Sequence, residues 1–242
     1  MSSGEDGVQF TETDHAMLFG WMARAVIQRV GEEKGEVVVR QAVRRYGEQR
    51  GRRMALRAEA NGHPRSMTNY IVYGEWAASE PVAEQKVLAK SPDARVQVLK
   101  CPWHRAWKAQ DLMPYGRLYC MEVDEALVRG FNPKLRLDVN RTLSGGDDCC
   151  EFVFYGAKLN LLNTLGVAYK KAVKPGKTAV MPWEYHLGHL YKTVSEVVIE
   201  ELGDLGQEAA EEAMAALAAA YGKDAADKIL AFRDTDFDQL PG

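Results

Sequence analysis

The chain has no long apolar run: no stretch of its 242 residues approaches the roughly 20 consecutive apolar positions a membrane span needs. No membrane partner is therefore expected. It also lacks a strong charge of either sign. With 31 Lys and Arg against 34 Asp and Glu, the formal net charge is −3 and the pI near 6.0. That balance excludes the basic footprint of a nucleic-acid binder. Cysteine is scarce, with four in all, at Cys101, Cys120, Cys149 and Cys150. A chain this long can bury a core without covalent staples, and no positively charged apolar leader opens it, so reduced thiols and a cytoplasmic location are expected. The neighbours Cys149 and Cys150 agree with this, because adjacent strand residues point to opposite faces. Also missing are a phosphate loop, a dinucleotide fingerprint, HExxH and GxSxG, which removes the commonest nucleotide, zinc-protease and serine-hydrolase classes.

What is present centres on Cys101 to Tyr155, where the thiols lie together with His104, Asp124, Asp147 and Asp148. The flanks read as helical. Residues 1–10 are small and polar and are expected to be poorly ordered. Thr13 or Asp14 then caps a helix with Met17, Leu18, Trp21, Met22, Ala25, Val26 and Val30 at spacings of three and four, ending at Gly31. A second helix, with Val37, Val38, Ala42, Tyr46, Met54 and Ala55 inward, runs to Asn61-Gly62-His63-Pro64 and completes a hairpin. Arg40, Arg44, Arg45, Arg50, Arg52, Arg53 and Arg57 crowd it. They read as a solvated face interleaved with glutamates, from which one arginine is available to a substrate carboxylate.

Ser66 to Glu75 reads equally as a helix or, at Tyr70–Gly74, as a strand. Arg95–Cys101 alternates as a half-buried strand closed by Pro102, then Trp103–Leu112 forms a short helix and Tyr115-Gly116 a turn. Leu118–Val128 has a helical period that places Cys120 and Asp124 four apart on one face. Leu135–Thr142 and Cys150–Tyr155, joined through Gly145-Gly146, form a β-hairpin whose alternation puts Cys150 on the inner face with Phe152 and Phe154. Beyond Pro175-Gly176, helices over 184–200 and 207–232 precede a polar tail. The class is α+β: a small antiparallel sheet flanked by N-terminal and C-terminal helical hairpins, with a core unit at 11–175 and the second hairpin at 176–242. At one constant offset Gly31, Glu33, Glu36, Tyr46 and Gly47 match Gly206, Glu208, Glu211, Tyr221 and Gly222, a candidate duplication.

Several groups have chemical potential. Cys101 with His104 reads as a thiol and its base, half a metal site, or an ordinary strand end. Cys120 with Asp124 joins a nucleophile to a carboxylate one helical turn away, the rival being a small apolar filler beside a surface acid. Convergence of Cys101, Cys120 and Cys150 would suit zinc, although the spacing lacks the CxxC pairing of dependable zinc motifs. His186 and His189, with His15 opposite, read first as a hydrogen-bonded layer between helices and second as metal ligands.

The run Tyr46-Gly47-Glu48-Gln49-Arg50-Gly51-Arg52-Arg53-Met54-Ala55, Tyr119-Cys120 followed by Asp124, Gly130-Phe131-Asn132-Pro133, and Thr142-Leu143 followed by Gly146-Asp147, Cys150 and Phe152 resemble the L-2-amino-thiazoline-4-carboxylic acid hydrolase family over roughly residues 15 to 155. The helix-plus-hairpin ending is similar also to small-molecule-binding domains of the four-vinyl-reductase type. The first resemblance implies a hydrolase that opens a C–N bond in a small cyclic amidine or related heterocycle, with no cofactor. On that reading Cys120, or a water beside it, attacks. Asp124 holds the amidinium nitrogen, Asp147 and Cys150 close the polar side, and Cys101 and His104 are reserve thiol and base. Tyr119, Asn132 and Arg141 contact substrate, Arg141 at its carboxylate. The alternative is a non-catalytic sensor with cysteine-bound zinc. In either case the alanine-rich helix from Gln207 suits close packing in a homodimer.

Overall fold

The structure is a computed structural model that describes residues 8–77, 84–173 and 176–241. Helix α1 (Glu12–Val30) starts at Thr11, where the Asp14 carboxylate accepts from the Thr11 amide and the Thr11 hydroxyl accepts from the Thr13 amide. This reciprocal cap sets the start ahead of the expected Thr13 or Asp14. Gly31, at φ 83°, takes a conformation only glycine adopts readily and turns the chain into α2 (Glu32–Ala60). Helix α3 (Met67–Val72) is capped by Ser66, which decides the ambiguous segment for helix. Next come β1 (Gln85–Ala89), β2 (Ala94–Val98), α4 (Pro102–Ala109), α5 (Met113–Cys120), α6 (Val123–Phe131) and β3 (Leu137–Arg141). A 3₁₀ turn at Leu143–Gly145 leads to β4 (Cys150–Phe154), then α7 (Leu161–Ala172), α8 (Trp183–Leu202), α9 (Asp204–Tyr221) and α10 (Lys223–Leu230).

The strands form one antiparallel sheet in the order β1-β2-β4-β3. Its period of two separates the faces. Val96, Val98, Phe152 and Phe154 face the helices, while Glu151 on the other face accepts from Arg95, Gln97, Asn140 and Arg141. Strand β1 was not expected from the sequence: it is an edge strand, exposed at four of its five positions, and carries no inward apolar alternation.

Other expectations need correction. Tyr115-Gly116 lies inside α5, where Gly116 is required because a side chain would strike the Trp107 ring. The helix expected over 118–128 breaks at Met121-Glu122, and the Glu122 carboxylate is pinned there by Arg40 and Arg44 of α2. Cys120 and Asp124 therefore sit on consecutive helices rather than one face. Val37 is 64% exposed, one position off the buried stripe that holds Val38. The helix expected over 207–232 divides at Gly222, φ 92°. The polar tail docks through buried Phe237, and Phe10 packs edge-on against Tyr221 with centroids 6.1 Å apart, so residues 8–10 are held; residues 1–7, and Pro175 at the expected unit boundary, lie outside the described residues. The duplication offset equates Gly31, a left-handed break, with Gly206 inside α9, so it does not equate like conformations.

The closest approach of elements bearing on the site is between α2 and α6. A Cβ on Gly51 would collide with the Leu127 carbonyl and the Phe131 amide, and one on Gly130 with the Glu48 backbone. Glycine at these crossings lets the two helices meet backbone to backbone. That contact fixes Arg50 of α2 and Asp124 of α6 on the same side, facing the sheet. No described helix is long and apolar enough to cross a membrane.

Candidate functional site

Between the inner sheet face and helices α2, α3 and α6 lies a cavity of about 510 Å³. One wall is apolar: Val96, Val98, Phe152 and Phe154 from the sheet, with Met54, Leu127 and Leu137. The opposite end is polar, with Arg50, Asp124, Tyr70, Glu75 and Trp76. Lys171 of α7 and Leu159 stand at its edge.

The polar end rests on a buried ionic knot. Glu75 is fully buried and accepts from Arg53 Nε at 3.1 Å, Arg53 Nη2 at 3.0 Å, Arg50 Nε at 3.4 Å, and Arg57 Nη1. Burial alone would raise its pKa, but Arg53, Arg50 and Arg57 outweigh that and hold it at about 2. Arg53 also donates to the Phe237 carbonyl at 2.6 Å and to His189 Nδ1 at 3.1 Å. This is the correction to the solvated-arginine reading: Arg50, Arg53 and Arg57 are buried, while Arg40, Arg44, Arg45 and Arg52 form surface pairs.

The histidines make the expected interhelical layer. His189 Nε2–H donates to Gln49 Oε1 at 2.9 Å, and His186 donates to the Glu75 carbonyl at 3.1 Å. His15 donates to Tyr46 Oη at 3.0 Å and accepts from Trp103 Nε1 at 3.2 Å. Burial, the largest cause, holds all three neutral, with His186 lowered to about 3.

Three polar groups remain open at the cavity. Arg50 lies over the Trp76 ring at 3.7 Å, and its Nη1 has no hydrogen-bond partner. Trp76 Nε1 is also buried without one. No described residue hydrogen-bonds the Asp124 carboxylate, which burial raises to about 6 against the opposing pull of Arg50. Unsatisfied buried donors beside a carboxyl of shifted pKa are the marks of a place where a ligand is received.

Of the residues given site roles from sequence, Asp124 lines this cavity, as does Arg50, one of the seven arginines from which a carboxylate partner was expected. Cys120, at the end of α5, is near enough to Cys101, Cys150 and Asp124 for each to act on its charge. Burial pushes all three cysteines up, Cys150 to about 11, and they are thiols rather than thiolates. Cys150 Sγ accepts from the Leu143 amide at 3.4 Å. Among the described residues no three His, Cys, Asp or Glu side chains are grouped to hold a metal ion. Tyr119 is buried among His15, Phe19 and Trp107. His104 sits on α4, and Asp147 caps the hairpin turn by accepting from the Thr142 amide. Asn132 closes α6, and Arg141 pairs with Glu151 and Asp148 on the outer sheet face; neither lines the cavity. Sequence reasoning did not single out Arg50 from the other arginines and missed Tyr70, Glu75 and Trp76 as site residues. The available signal was a lone Glu75 beside Trp76, downstream of a seven-arginine helix with too few local acids to pair it.

The fold is an α+β frame holding a cavity that is mostly apolar on the sheet side and charged at one end. The chain belongs to the L-2-amino-thiazoline-4-carboxylic acid hydrolase family, whose match covers residues 11–154. That span runs from α1 through β4 and contains the ionic knot, the thiols and the whole sheet. Searches of curated proteins and of solved structures gave no match.

Proposed function

We propose that the cavity hydrolyses a C–N bond in a small cyclic amidine that carries a carboxylate. The observation that supports this is the pairing, at one end of the cavity, of an unpartnered Arg50 Nη1 with the open carboxylate of Asp124. The two suit a ring that is anionic at one edge and cationic at the other. Arg50 and Trp76 Nε1 donate to the substrate carboxylate, and Asp124 accepts from the amidinium or from an attacking water. Water adds to the amidine carbon as Asp124 takes its proton. The tetrahedral intermediate then collapses with loss of the ring nitrogen, which recovers that proton. Because burial raises the thiols and none of them lines the cavity, water is taken as the nucleophile.

The test is incubation with 2-amino-thiazoline-4-carboxylate, following the gain of one water by mass. A thiol reagent reports which ring bond opens, since cleavage at sulfur frees a thiol and cleavage at nitrogen an amine. Asp124→Asn is expected to lower kcat/KM by about 10²- to 10⁴-fold. Cys120→Ala is expected to stay within about tenfold of the parent. A base must be ionised to act, so kcat/KM rises with pH through about 6. Full activity in Asp124→Asn, or a rate that falls through that window, sinks the assignment. A binding-only reading draws on the apolar wall; it expects the same compound to be bound and released unchanged.

A further inference from the structure

The size and lining of the cavity carry more than the position of the ring. About 510 Å³ lies within the range of sites for drug-sized ligands, roughly 300–1,000 Å³. An aminothiazoline carboxylate has only about nine non-hydrogen atoms and, seated between Arg50 and Asp124, reaches a fraction of that space. The remainder is bounded by the sheet. Strand register places Val87, Val96 and Phe152 in one row across β1, β2 and β4, with Phe154 in the next row, and all four line the cavity. Water filling this part, at about 30 Å³ per molecule, would number about ten and meet a sheet wall of Val87, Val96, Val98, Phe152 and Phe154 whose one hydrogen-bonding side chain is Gln85 of the edge strand. Apolar surface of that extent gains only when apolar matter covers it.

We infer that the ligand of this site carries, beyond its ring and carboxylate, an apolar substituent lying on the sheet: an alkyl chain of about four to eight carbons or one aryl ring. This rests on the reading of the polar end given above. The cavity thus takes amphipathic ring acids, with the unsubstituted ring as its minimal member.

Two series separate the inference from the hydrolase reading. One is 2-amino-thiazoline-4-carboxylate bearing 5-alkyl groups from methyl to hexyl, or 5-phenyl. The other is the matching thiazolidine-4-carboxylates, which have no amidine to hydrolyse. Affinity is measured by calorimetry for both series and ring opening by mass for the first. Affinity is expected to rise about fourfold per methylene, the ratio given by about 0.8 kcal/mol per buried CH₂, and to level off once the wall is covered. Affinity that is flat or falls with substitution, or no binding by any member, overturns the inference even if the parent ring is opened. Affinity that climbs in both series with no ring opening sustains the inference and overturns the hydrolase reading instead.

Discussion

Two glutamates lie on opposite sides of the β-sheet, and both have pKa values held at about 2, for different reasons. Glu75, on the helical side, is driven up by burial and brought down by Arg53, Arg50 and Arg57, all of them buried. Glu151, on the outer face, is brought down by hydrogen bonds from Gln97, Arg141, Asn140 and Arg95. Equal acidity conceals unequal stakes. Around Glu151 the partners reach water and can be solvated if the carboxylate is lost; around Glu75 they cannot. The cavity's polar end is built on the second kind, which keeps Arg50 charged and in place while one of its nitrogens stays free.

The largest expected effect follows from breaking that knot. Glu75→Gln keeps the shape but strands buried guanidinium charge, and should lower stability by about 3–5 kcal/mol in urea unfolding. A loss near zero would mean that the arginines find other partners and that the comparison fails. Acid tests the same region. His186 has its pKa lowered to about 3 in the fold, so between about 6.5 and 3 the unfolded chain binds the extra proton and stability falls as pH falls. From pH 7 to 4.5 this group alone should cost about 2.5 kcal/mol. His15 and His189 add in the same direction, and Glu75 adds its own loss as pH drops from about 4.5 toward 2. Urea midpoints that hold steady between pH 7 and 5 would show that the histidine layer is not neutral as described.

Local pattern reveals pairings within a segment but not those between distant ones. The helical hairpin, the strands ending in Cys150–Phe154 and the inward face of Cys150 were legible because period and turn residues fix them within about ten positions. The site was legible only in part. Asp124 was found through its neighbour Cys120, yet the helix assumed to join them is broken at Glu122 by arginines 78 and 82 positions away. The fate of the arginine-rich helix was not readable for the same reason. Whether a guanidinium meets water or a buried carboxylate depends on where Glu75 arrives, and Glu75 lies in an irregular segment between α3 and β1 with no periodic signal of its own. β1 escaped because an edge strand exposed on both faces needs no apolar alternation.

The Gly51 contact gives a sharper version of the comparison, since it moves the helical side without touching a polar group. Gly51→Ala pushes α2 off the α6 backbone at Leu127 and Phe131. Overpacking of this kind should cost about 1–3 kcal/mol and, by separating Arg50 from Asp124, lower kcat/KM by about 10- to 100-fold. Unchanged catalysis in a destabilised variant would detach the helix crossing from the site.

The smallest effect is expected on the outer face. Glu151→Gln keeps an acceptor for Arg95, Gln97, Asn140 and Arg141, whose donors turn to solvent where it falls short. Its urea midpoint at pH 7 should lie close to the parent's, because the Arg95 and Arg141 partners reach water and are solvated when the charge is removed. A loss equal to that of Glu75→Gln would show that the sheet's polar face depends on its carboxylate no less than the buried knot does. The division of the molecule into a charge-locked helical side and a solvent-relieved sheet side would then have to be given up.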